Sequence, residues 1–315
     1  MTYVLFAGIC LLWGTSFLLM KLATPVFGPL TIGAGRLVGG AAALGVLLAW
    51  QRGRRRTAGR PRGAWWRASD WPVWAGMIAM GFVFTFVAQP YLIARLNHSG
   101  FIGMMVAFVP LFTLGWAWWM LHQVPSVRQV VGVLLGLAAM PLLVGVGLDL
   151  GLAWWELALA VSVPLSYAWS NTLVKSRMTH VPAGVLTAVC CGVAAGLLLP
   201  VGLACEPIRW PDPATGWTAV GALMVLGVLA TGVATLMFYR LIQERGPLFA
   251  GMVTYIIPVE AVLWGALDNE PVAGRQVVAL VGVLAAVALV QWPARGASAV
   301  TGAPGSTTAA GARRG

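Results

Sequence analysis

Between Tyr3 and Trp292 the chain runs through ten apolar stretches, at 3–21, 28–50, 71–94, 99–121, 129–147, 153–174, 182–204, 217–241, 247–267 and 275–292. Short connectors rich in proline, glycine and charge separate them, such as Pro25 to Pro29, His122 to Arg128 and Glu206 to Thr215. About 20 apolar residues carry a helix across bilayer hydrocarbon, so each stretch is long enough to span. A soluble domain carries about 25% charged residues, whereas this chain of 315 residues is 9% charged and 59% hydrophobic. The pattern predicts an all-α integral membrane protein with ten transmembrane helices. Residues 293–315, rich in Gly, Ala, Ser and Thr, read as a disordered cytoplasmic tail.

Twenty Lys and Arg against nine Asp and Glu give a net charge of +11, and the placement of that charge points away from nucleic acid. Seven arginines, from Arg52 to Arg67, fall between two apolar runs, as expected of a cytoplasmic loop. With the amino terminus inside, 15 basic residues lie on the cytoplasmic side. Four lie outside, Lys21, Arg95, Arg209 and Arg275, and Arg36 falls within a span. This asymmetry predicts a multi-pass protein of the inner (plasma) membrane with both termini cytoplasmic. Most of the 16 tryptophans sit at span ends, where indole prefers the interface. The four cysteines make no secreted disulfide framework. The first apolar run starts within three residues of Met1 without a basic leader, so it reads as a retained membrane helix.

The halves resemble each other. Helix 4 reads Phe101-Ile-Gly-Met-Met, then Val109-Pro110, and leads to Arg128-Gln-Val-Val. Helix 9 reads Phe249-Ala-Gly-Met-Val, then Ile257-Pro258, and leads to Arg275-Gln-Val-Val. The offset is 148 at the prolines and 147 at the Arg-Gln pairs, while Trp13-Gly-Thr-Ser16 and Lys21 face Tyr167-Ala-Trp-Ser170 and Lys175 at 154. Residues 1–147 and 148–292 thus read as two repeats of five spans. An odd number of spans forces the second copy to insert upside down. Inverted repeats that rock about a midplane site are the architecture of many secondary transporters.

Trp13-Gly14-Thr15-Ser16-Phe17, Arg36, Pro110, Pro258 and Glu270 together resemble the EamA-like group of the drug/metabolite transporter superfamily, in a ten-helix form. The resemblance extends to about residue 292 and implies a transporter of amino acids, other metabolites or drugs. Two positions depart from the family pattern. Gln123 stands where relatives often have Glu after helix 4, and helix 9 carries Glu260 two residues after Pro258.

Arg36 lies about 12 Å below the outer surface at about 1.5 Å per residue, and a mid-membrane arginine costs at least about 2.5–3.5 kcal/mol. It must face protein, water or a partner, either as an anchor for an anionic group of a substrate or as a clamp on backbone carbonyls or Glu260. Glu260, the one mid-span carboxylate, is the candidate for proton coupling or a structural partner. Pro110 and Pro258 break their helices, and the backbone freed at Pro258 must line a cavity or meet a neighbour. Trp13, Ser16, Gln89, Tyr91, Tyr167, Trp169, Asn171, Tyr239 and Tyr255 offer the polar and aromatic groups of a ligand surface.

No enzyme is expected. His98, His122 and His180 lie apart near segment ends, no phosphate-binding glycine motif occurs, and neither Ser16 nor Ser170 has a histidine in its span. No cofactor or metal is expected. The partners are a small-molecule substrate and the bilayer, and the chain reads as a monomer or weak homodimer. The function expected is alternating-access transport of a small organic solute, in the direction of efflux. An uptake permease of the same fold and a non-transporting sensor or scaffold are the alternatives. A reporter active only outside the inner membrane, fused after Gln291, is expected to be silent in cells; strong activity would overturn the ten-span topology.

Overall fold

The computed structural model describes residues 2–56, 67–149 and 151–291, so the expected tail and connector residues 57–66 lie outside the described residues. Every regular element among the described residues is helical. We label the helical segments α1 (Thr2–Ala23), α2 (Pro29–Arg56), α3 (Ala68–Leu96), α4 (Ser99–Leu121), α5 (Val127–Asp149), α6 (Trp154–Arg177), α7 (Ala183–Cys205), α8 (Pro213–Arg245), α9 (247–267) and α10 (Gly274–Gln291). Among the described residues, seven helices are long and apolar enough to cross a membrane, and Val127–Ala139, Ile256–Leu267 and Gly274–Ala286 are shorter apolar ones. The ninth stretch is built of a helical turn at Pro247–Ala250 and a helix at Ile256–Leu267 on either side of a 3-10 segment at Gly251–Tyr255.

The helix ends follow from local chemistry. Asp212 accepts the Thr215 amide at 3.0 Å ahead of Pro213, which has no amide to satisfy. Glu156 accepts the amide of Ala153 at 2.8 Å and fixes the start of α6. Asn97 and His122 close α3 and α4 in the left-handed region, at φ 54° and 53°.

Four departures from α-helical geometry stand in two matched pairs. α3 and α8 each contain a π-helical stretch, Met77–Phe84 and Leu226–Val233. α4 and α9 each contain a 3-10 stretch, Val106–Phe108 and Gly251–Tyr255. The π stretches are separated by the spacing of Pro110 and Pro258 to within one residue. The 3-10 turns have a direct cause. Proline removes an N–H and crowds the carbonyl four residues back, at Val106 and Thr254, and in α4 the Val109 amide tightens onto the Val106 carbonyl instead.

Hydrocarbon gives apolar side chains no reason to leave it, so helices associate here by close backbone approach. α2 packs against α7 and against the π stretch of α8. A Cβ on Gly39 would lie 2.7 Å from the Gly227 Cα, and one on Gly202 would lie 3.1 Å from the Thr31 amide nitrogen. Backbone stands against backbone at both places, so no flexible side chain can yield. Gly39→Ala is expected to cost about 1–3 kcal/mol by overpacking, read as a lower unfolding temperature in detergent. Gly45→Ala, on the same helix with nothing within 4 Å, is expected to leave it unchanged or raise it.

Candidate functional site

The departures from α-helix surround a cavity of about 90 Å³, lined from both halves by α1, α2, α3, α4, α6, α8 and α9. A single water needs about 10–15 Å³ on this scale, so there is room for part of a small solute. Of the residues expected at a ligand surface, Trp13, Ser16, Arg36, Gln89, Tyr167, Asn171 and Tyr239 come together here.

Arg36 is buried at 4% exposure, held on α2 where the helix passes the cavity. One guanidinium nitrogen donates to the Met20 sulfur at 3.0 Å, and the group lies 4.5 Å above the Phe86 ring. Its Nε has no hydrogen-bond partner. Among the described residues no carboxylate pairs with it, neither Glu260 nor any other. The clamp expectation thus finds no support here, because a weak sulfur acceptor and a ring face are what Arg36 meets instead of carbonyls.

The remaining walls are aromatic with a few fixed polar groups. Trp13 donates its indole N–H to the Ala230 carbonyl in the π stretch of α8, at 2.9 Å, and packs edge-on against Phe238 at 4.6 Å. Phe82 bridges Phe86 and Tyr239, at 5.7 and 6.2 Å between ring centres. Tyr167 donates to Gln89 Oε1 at 3.2 Å, joining α6 to α3 and orienting the amide. Ser16 donates back to the Leu12 carbonyl at 2.6 Å. Val106 and Thr254, the two positions crowded by Pro110 and Pro258, both line the cavity.

Three expected residues lie elsewhere or beyond description. Tyr91 sits toward the end of α3, 3.3 Å from Glu156 and 5.9 Å from the Trp155 ring, beside a second, apolar cavity between α3 and α7. Trp169 packs against α3 at Gly76, where a Cβ would meet its ring at 2.6 Å. The side chain of Tyr255 lies outside the described residues. Glu260 is not part of the Arg36 cavity either. It faces α1 at Gly14, where a Cβ would overlap its carboxylate, and its Oε2 is buried without a partner. Phe86, Met20 and Thr235 belong to the cavity and had no sequence signal, since each looks like an ordinary span residue.

Among the described residues, no cluster of three or more His, Cys, Asp or Glu is placed to hold a metal ion. No curated protein matches the chain. Among solved structures, a crystal structure of another protein, 21% identical, superposes with a TM-score of 0.65 over 92% of this chain and 96% of that one, which shows a shared fold. The EamA-like transporter family matches residues 1–145 and again 154–292, one match on each set of five helical segments. The two matches span nearly all of the described chain, and this multi-pass membrane protein therefore belongs to the EamA-like transporter family.

Proposed function

We propose that this chain is a secondary transporter that moves a small organic anion across the inner membrane by alternating access, in the direction of efflux. In this reading ten spans form two inverted five-helix halves, 1–147 and 148–292, both termini are cytoplasmic, and one chain suffices because it builds the whole cavity. The observation that carries the reading is a buried, carboxylate-free guanidinium in a cavity lined by both halves. A cation left unpaired in apolar surroundings is costly, and an anionic solute supplies the missing partner. The aromatic walls suit an apolar body, while Gln89, Asn171 and Thr235 suit its polar substituents. Rocking of the halves about this site would expose it to each side in turn.

In purified protein reconstituted into sealed vesicles, Arg36→Ala is expected to fold and insert normally. It should weaken uptake of an organic anion about tenfold to a hundredfold, the range for loss of a charge-assisted hydrogen bond. Arg36→Lys keeps the charge but not the forked geometry and is expected to fall between. Wild-type rates for Arg36→Ala would remove the anchor role, and failure to accumulate would make Arg36 structural.

Glu260 is the proposed coupling group, supported by its unpaired Oε2 in the middle of α9. Glu260→Gln keeps shape and removes ionisation. It is expected to abolish accumulation driven by a pH gradient while leaving exchange of labelled solute between the two sides. An unchanged gradient-driven accumulation would place coupling elsewhere.

A further inference from the structure

The helix ends sort into two sets, and their polar chemistry differs sharply. One end of the bundle collects the carboxyl ends of α1, α3, α5, α7 and α9 with the starts of α2, α4, α6, α8 and α10; the other carries Thr2 and Gln291. Six of the nine acidic residues, Asp149, Glu156, Glu206, Asp212, Asp268 and Glu270, lie at the first end. All of them but Asp212 link α1–α5 to α6–α10. Glu206 accepts the amides of Leu30 and Thr31, at 2.9 and 2.8 Å. Glu156 meets Arg95 at 3.2 Å, and Asp149 pairs with Arg275. At the other end, Asp70 pairs with His180 across the halves at 2.9 Å. There Glu244 pairs with Arg240 on its own helix.

Glu270 is the hub of the first end. From the loop between α9 and α10 its side chain, 3% exposed, reaches into the first half. It accepts the Ser99 amide at 2.7 Å, the Ser99 hydroxyl at 2.9 Å, the Gly100 amide at 2.9 Å and the Lys21 ammonium at 2.8 Å. His98 Nδ1 lies 2.9 Å away, and its Nε2 faces the Pro271 carbonyl at 3.3 Å. Asp268 holds Lys21 from the other side. Phe17 and Met20, in the last turns of α1 before Lys21, line the Arg36 cavity, so this cluster begins where the cavity-lining part of α1 ends.

The internal repeat supplies no second copy of this cluster. At the offsets that align the halves, Glu270 corresponds to Gln123, Ser99 to Pro247 and His98 to Gly246. The counterpart positions thus have an uncharged amide for the carboxylate, a residue with no N–H for a donor, and no side chain for the imidazole. Gln123 is exposed, and Lys175, which corresponds to Lys21, donates to the Gln243 carbonyl within its own half. Among the described residues, the two ends therefore carry unequal fastenings, a buried carboxylate with several partners at this end against Asp70 with His180 at the other.

We propose that Lys21, His98 and Ser99 of the first half and Asp268 and Glu270 of the second form a latch that seals this end over the cavity, making the sealed state the resting state and leaving the opposite end as the route of solute entry. The proposal rests on the transport reading above and adds its regulation. Burial alone would raise the Glu270 carboxyl, but His98, Lys21 and the amides of Gly100 and Ser99 outweigh it and hold the group well below the usual carboxylate range. A carboxylate lowered in the closed state contributes its fastening above the ordinary range and loses it only in strong acid.

The test is labelling of Ser16→Cys, in the cavity, by a membrane-impermeant maleimide in a Cys205→Ser background. Cys205 is exposed at the latched end, so labelling of the parent protein in intact cells first identifies which side that end faces. The protein without Ser16→Cys corrects for the buried Cys10, Cys190 and Cys191. Labelling from the latched side is expected to be about tenfold slower than from the opposite side, equivalent to about 1.4 kcal/mol. Glu270→Gln and, separately, Lys21→Met, which leaves Glu270 on the α4 amides, should each remove that difference. Asp212→Asn, at the same end but outside the latch, should not. Equal access from both sides in the unaltered latch, or no response to either variant, overturns the proposal. Failure of every organic anion to move, with the labelling response intact, would instead overturn the transport reading and leave the latch standing.

Discussion

A backbone amide or carbonyl in hydrocarbon has no water to bond to, and the rest of this structure depends on that constraint. It makes every described element helical and leaves irregular backbone only where protein can satisfy it. Each of the four irregular stretches accordingly contributes to the cavity wall. In α4 the Val109 amide tightens onto the Val106 carbonyl beside Pro110. In α8 the Ala230 carbonyl takes the Trp13 indole, and in α3 the Thr85 hydroxyl takes the Gly81 carbonyl at 2.7 Å. Broken geometry, polar side chains and free volume coincide around the cavity because each requires the others.

The same constraint explains how the helices meet. Lipid is as apolar as leucine, so burial of apolar side chains gives little drive for one helix to choose another. Close approach of backbones does the choosing, as at Gly39 against Gly227 and Gly202 against the start of α2. Charges supply the remaining selectivity, and they are found where water or a partner is within reach, at the helix ends. Glu260, in the middle of α9, is one exception, and Arg36 is the other, buried beside Met20 and Phe86 with Nε unpaired. That is a costly arrangement, and it is why a partner from outside the chain is the economical account of it.

The uneven distribution of carboxylates gives the bundle a direction that its repeated helices lack. Two halves with the same layout would favour neither state, yet among the described residues only one end has a buried acid accepting four donors from the opposite half, with His98 beside them. In the proposed transport cycle, chemical asymmetry on a repeated frame would bias a two-state motion without altering its geometry. The energy involved is that of a few charge-assisted hydrogen bonds, enough to set populations and small enough to be overcome in a cycle.

Sequence alone determined the membrane character, the helical segments to within a few residues at most ends, and the breaks at Pro110 and Pro258. Length, apolarity and proline stereochemistry are local properties. It also singled out Arg36, Trp13, Gln89, Tyr167, Asn171 and Tyr239, which the fold gathers at one cavity, since polar groups are rare enough in such spans to stand out. Tertiary structure decided the rest. A helix apolar all round has no amphipathic stripe, so nothing in the sequence separated inward-facing Tyr167 from Tyr91 and Trp169, which pack elsewhere. Nor did it reveal that Glu260 faces Gly14 while Glu270 closes on Lys21, His98 and Ser99. Those pairings join residues more than 150 positions apart, and only the packing of the two halves brings them within reach of a hydrogen bond.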